Sequence, residues 1–119
     1  MICATLPVPP SANRLWRVFR GRMVTSADYA AWKATAGLIL NVAAAGKSIQ
    51  GPYALTIRVG VLKGRRLDLD NYLKPLNDLL QSCGAVRNDS DCQCVDIAWA
   101  TGVQGATITV TATNLIPRK

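Results

Sequence analysis

The hydrophobic period of the chain changes abruptly between residues 63 and 72. Over YALTIRVGVLK (53–63), Leu55, Ile57, Val59 and Val61 fall on alternate positions, the two-residue period of a strand with one apolar face. Over residues 71–83, Tyr72, Leu73, Leu76, Leu79 and Leu80 recur at helical spacing. Pro75 has no amide hydrogen and fits a helix only in or near its first turn, which pins the helix start to about Asn71. Asn71 or Asp70 is the natural N-cap, and Gly84 the natural residue just past the end.

The flanking segments complete a consistent pattern. Residues 2–8 (ICATLPV) read as a short strand ended by Pro9 and Pro10. In SANRLWRVFRGRMV, Arg14, Arg17, Arg20 and Arg22 interleave with Trp16 and Phe19, and Gly21 can turn a small hairpin. Thr25 or Ser26 can cap a long alanine-rich helix that carries Trp32, Ala36, Ile39, Leu40 and Ala43 at helical spacing and ends at Gly46. Residues 93–103 and 105–113 read as two strands joined at Gly102–Gly105. The expected fold is α+β: one domain over residues 1–119, with a mixed or antiparallel sheet and two main helices packed on one face. A chain of 119 residues, half of them hydrophobic, can bury one modest core.

Composition narrows the chemistry. The chain has no His, which removes His-based triads, dyads and HExxH sites. Cys3, Cys83, Cys92 and Cys94 include no CxxC pair; they read as reduced, mostly buried thiols rather than a zinc site. No apolar run is long enough to span a bilayer, and no targeting signal is legible, so the expected location is the cytoplasm. Fourteen Lys and Arg against seven acidic residues, all Asp, give a net charge of +7 and point to a polyanionic partner such as nucleic acid.

The scarce acids are concentrated in "RRLDLDNYLKPLNDLL" (65–80). In extended chain Asp68 and Asp70, two residues apart, face the same way. Carboxylates this close repel unless a cation joins them, and a hard divalent ion with oxygen ligands is the usual resolution. The helix 71–83 climbs roughly 18–20 Å. An antiparallel return from Gly84 of about 17 Å would bring Asp89 level with its start, and Asp91 onto the same side one pleat further. Other readings stand beside this one. Asp70 can cap the helix, Asp68 can pair with Arg65 or Arg66, and Asp89 can belong to an Asn-Asp-Ser-Asp turn. Asp78 follows Lys74 by four residues, an ordinary helical ion pair, although Lys74 can equally steer a phosphate. Lys63, Arg65, Arg66 and the Arg14–Arg22 segment are candidate phosphate contacts.

These residues resemble a known family. DLDN (68–71), Lys74, Asp78, Gly84 and Asn88-Asp89, with the opening LPVPPSANRLWR and the segment GRMVTSADYAAWK, stand at spacings similar to the RusA-type Holliday-junction resolvases, or crossover-junction endodeoxyribonucleases. The resemblance covers about residues 2–113. It implies a homodimeric nuclease that uses Mg²⁺ (Mn²⁺ a possible substitute) and no organic cofactor. It implies branched DNA as partner, with four-way junctions resolved by symmetric phosphodiester hydrolysis. By motif position it implies Asp68, Asp70 and Asp89 as metal-binding catalytic carboxylates, Lys74 as the catalytic lysine, and DNA contacts from Asn13, Arg14, Arg17, Arg20, Arg22, Lys63, Arg65, Arg66 and Lys74. Asn71 belongs to the motif without an assigned role, and that of Asp91 is open. The chain departs from the family at Asn88, where Asp is frequent, and at Leu67, where a relative can carry a basic residue. The alternatives are a non-catalytic nucleic-acid-binding module and a nuclease of the same fold acting on other branched DNA.

Overall fold

The computed structural model describes residues 1–10, 16–19, 22–61 and 69–113. In chain order the elements are β1 (Ile2–Leu6), β2 (Trp16–Phe19), β3 (Arg22–Thr25), α1 (Ala27–Ala44), β4 (Tyr53–Gly60), α2 (Leu73–Ser82), β5 (Cys92–Ala100) and β6 (Ala106–Ala112). Among the described residues four strands form a sheet in the order β1-β6-β4-β5, while β2 and β3 form a separate antiparallel pair, as the arginine-rich segment predicts. The architecture is α+β with a mixed sheet: β6 runs antiparallel to both β1 and β4, and β4 runs parallel to β5. Parallel neighbours need a crossover, and the connection that carries α2 supplies it.

One face of the sheet is buried. Ile2, Ala4 and Leu6 of β1, Tyr53, Leu55, Ile57 and Val59 of β4, and Ala106, Ile108 and Val110 of β6 all point into a single core. Both helices close that core. From α1 come Tyr29, Trp32, Ala36, Leu40 and Ala44; from α2 come Leu76, Leu79 and Leu80. Each large apolar side chain removed from water contributes about 1.5–3 kcal/mol, which offsets a backbone ordering cost of about 1–2 kcal/mol per residue. Packing therefore holds the ten-residue α2, which is too short to stand alone. The opposite sheet face carries Thr5 and Thr107 and the Arg58–Asp96 pair.

Local signals set the boundaries of α1. Ser26 caps it, its hydroxyl accepting from the Tyr29 amide at 3.1 Å. Its end passes through Ala45 and Gly46, both in the left-handed region. The Trp32 indole donates to the Pro7 carbonyl at 2.8 Å and fixes α1 to the end of β1.

Several expectations need correction. Ile39 lies off the buried stripe of α1 and is partly exposed, its place in the pattern taken by Tyr29 and Ala44. Val61 is exposed because β4 ends at Gly60. Neither Asn71 nor Asp70 caps α2. A 3-10 turn over Leu69–Tyr72 feeds directly into the helix, and the residue at the cap position, Tyr72, makes no side-chain cap bond. Pro75 nevertheless falls in the first turn of α2, as its chemistry requires. The four cysteines are free, but none is buried: Cys3 and Cys94 are exposed, and Cys83 and Cys92 are half-buried. Among the described residues no helix is long and apolar enough to cross a membrane.

Candidate active site

The crossover places two distant acidic segments against one helix. Asp70 sits in the 3-10 turn ahead of α2, and Asp89 lies in a second 3-10 turn, Asp89–Asp91, ahead of β5. Both line a cavity of about 270 Å³ together with Leu73, Lys74, Asn77 and Asp78. The structure thus brings Asp70, Lys74 and Asp89 to one place. Asp89 does not come back level with the start of α2. Its amide donates to the Gln81 side chain at 3.0 Å, near the helix's far end. It enters the cavity beside Asn77 and Asp78.

Asp68 lies outside the described residues, as do Asn13, Arg14, Arg20, Lys63, Arg65, Arg66 and Leu67. Arg17 and Arg22 are placed in β2 and β3 respectively. Asn71 is in the 3-10 turn that carries Asp70.

Charge pairing separates the acids. Asp78 pairs with Lys74 at 3.2 Å, the helical pair its spacing predicts. Asp96 pairs with Arg58, whose hydrogen bonds hold its carboxyl below the usual range. Asp91 accepts two bonds from Arg87, at 3.0 and 3.2 Å, and is buried. Among the described residues Asp70 and Asp89 make no ion pair. The expected placement of Asp91 beside Asp89 on one side of an extended chain is overturned. A 3-10 turn rotates each residue by about 120°, so Asp89 faces the cavity while Asp91 turns inward to Arg87.

Two cavity residues were not assigned to the site by the sequence reading. Asn77 accepts through Oδ1 from the buried Tyr53 hydroxyl, which leaves its Nδ2 as the polar group for the cavity. Burial, with Cys92 and Asp89 nearby, pushes the Tyr53 hydroxyl well above its ordinary value, so it stays a donor. The second is Asp78, which lines the cavity while paired to Lys74. The helical spacing of Lys74, Asn77 and Asp78 already placed them on one face, but nothing local told which face meets Asp89.

An open cavity with two carboxylates that make no ion pair among the described residues, a lysine and an oriented amide offers hard oxygen donors and a cation. Among the described residues no group of three or more His, Cys, Asp or Glu side chains is close enough to hold a metal ion.

The chain is similar to proteins of known description. The family described as endodeoxyribonuclease RusA matches residues 7–111. A crossover junction endodeoxyribonuclease RusA from Escherichia coli (strain K12) is 36% identical over 92 residues, covering 77% of this chain and 75% of its own. A protein of the same description from Shigella sonnei (strain Ss046) shows the same identity and coverage. One from Enterobacteria phage 82 is 35% identical over 92 residues, again covering 77% of this chain and 75% of its own.

Proposed function

This chain belongs to the RusA endodeoxyribonuclease family, and on that premise we propose that it resolves four-way (Holliday) DNA junctions by metal-dependent hydrolysis of a phosphodiester in each of two equivalent strands. The observation that carries the reading is the cavity in which Asp70 and Asp89, both without an ion-pair partner among the described residues, meet Lys74. In a chain of net charge +7, two carboxylates left unpaired in one cavity fit a cation rather than a structural role.

The donor set suits a hard divalent ion, and we assign Asp70, Asp89 and, by its motif position, Asp68 to hold Mg²⁺ or Mn²⁺. Such an ion supplies charge neutralisation and a water nucleophile at neutral pH, work for which the chain has no His. Lys74 meets the reacting phosphate. Its pair with Asp78 is solvent-exposed, worth about 0.3–0.5 kcal/mol, so turning to a phosphate oxygen costs little. The Asn77 amide, held by Tyr53, donates into the same space. The arginines of β2 and β3, with Asn13, Arg14, Arg20, Lys63, Arg65 and Arg66, are assigned to the DNA arms. A junction with two equivalent strands is served by two copies related by two-fold symmetry, so the acting species is read as a homodimer.

The test compares a four-way junction, a fork and a linear duplex, each with Mg²⁺ and with Mn²⁺. Paired nicks in the junction are expected, and Asp70→Asn should abolish them while junction binding persists. Cleavage by Asp70→Asn at the wild-type rate would remove Asp70 from the site. Binding without nicking of any substrate by the wild type would make the chain a non-catalytic module.

A further inference from the structure

A second cavity, of about 490 Å³, opens beside the first and shares Asp78 and Asp89 with it. Its other wall comes from α1, through Tyr29 and Lys33, and its rim from Gln81 and Asn88. The polar groups here are oriented. Gln81 Oε1 accepts from the Asp89 amide at 3.0 Å, and Asn88 Oδ1 accepts from the Ser90 amide at 2.9 Å. A carboxamide whose oxygen is engaged by a backbone N–H can offer only its NH₂ group to a ligand. Lys33 Nζ stands 5.1 Å from the Tyr29 ring centroid, a cation–π contact that steadies the ammonium without neutralising it. Among the described residues Lys33 makes no ion pair. Of the two carboxylates at the shared edge, Asp78 is already matched by Lys74, and Asp89 is the one that the nuclease reading assigns to the divalent ion. What remains on the α1 side is one full positive charge and two amide donors, a set that suits an oxyanion.

We propose that this second cavity is a phosphate subsite, in which Lys33, Gln81 and Asn88 hold a DNA backbone phosphate neighbouring the one addressed by Asp70, Asp89 and Lys74. The proposal rests on the nuclease reading above and extends it to residues that carry no part of the acidic motif. The contacts are to phosphate, so they position the strand and read no base. A grip on the adjoining phosphate fixes the strand's path past Asp89 and thereby selects which bond is presented.

The experiment is binding of a four-way junction without divalent cation, titrated between 50 and 200 mM salt, for wild type, Lys33→Gln and Lys33→Arg. Lys33→Gln keeps most of the stem over Tyr29 and removes the charge, and its thermal unfolding midpoint serves as the folding control. It should weaken binding roughly three- to tenfold and lower the slope of log K against log salt by about one. Lys33→Arg should restore both. Lys33→Gln with affinity within twofold of wild type and an unchanged slope would overturn the subsite. If the wild type cuts junctions in Mg²⁺ while Lys33→Gln binds unchanged, the subsite alone falls. If the wild type neither binds nor cuts junctions, the nuclease reading falls and takes the subsite with it.

Discussion

Arg87 and Asp91 show what a carboxylate needs in order to be buried here. The Asp91 side chain is shut off from solvent and faces Arg87, which is itself half exposed. The two members are therefore not equivalent. Removing the cation strands a buried charge, while neutralising the acid leaves an arginine that water can reach. Arg87→Ala should cost roughly 2–3 kcal/mol, at or below the low end for a buried pair because Arg87 is half in water. Asp91→Asn, which keeps the shape and one acceptor oxygen, should cost about 1 kcal/mol. Urea midpoints of the two variants decide it; equal losses would mean that burial does not set the two members apart. The same turn presents Asp89 to the cavity, so Arg87 and Asp91 hold up the site from behind. In sequence, NDSD offers two aspartates that only the family motif ranks. The ranking came from a 3-10 turn, which the strand-like return assumed for this segment did not contain.

Two glycines of similar backbone conformation separate strain from crowding at the level of the elements. Gly84, after α2, has φ +76 and open space where a Cβ would sit. Gly105, before β6, has φ +85, and a Cβ there would stand 2.2 Å from the Leu6 carbonyl oxygen. Gly84→Ala should therefore cost only the left-handed penalty, about 1–2 kcal/mol. Gly105→Ala must also push β1 away and should cost at least about 3 kcal/mol, the upper end of what one substitution ordinarily costs. Thermal unfolding of both variants checks the order; the reverse order would refute the clash. The elements themselves were largely legible. Alternation marked β1, β4 and β6, the Ser26 cap and the alanine-rich stripe marked α1, and Pro75 marked the first turn of α2. The pairing was not legible, because a two-residue period says which face is buried and never which strand lies alongside. The run beginning at residue 93 became an edge strand parallel to β4, and the run beginning at 105 went between β1 and β4. For the site, the motif spacing pointed to Asp70, Lys74 and Asp89. Asn77 and Lys33 were invisible because each gains its place from a partner far along the chain, Tyr53 for one and the wall opposite α2 for the other.

For the whole molecule, a net charge of +7 on 119 residues has a measurable consequence if DNA is the partner. Each phosphate neutralised releases bound counterions, so junction affinity should fall at least tenfold between 50 and 200 mM salt, with a slope reporting several contacts. A flat salt response in a filter-binding or fluorescence titration would mean that the basic surface does not meet DNA. The sheet order adds a consequence in time. Among the described residues the only sheet neighbour of β1 is β6, with Ile2 beside Val110 and Leu6 beside Ala106. β1 is made before residues 106–112 and must wait for them before its sheet hydrogen bonds can form. Meanwhile β4, α2 and β5 can already associate, and the connection between β4 and β5 carries Asp70, Lys74 and Asp89. The wall that brings Lys33 is hung on β1 through Trp32 and Pro7. On this order of assembly the acids can meet before β6 is made, while the wall that carries Lys33 is fixed to the sheet only once β6 pairs with β1.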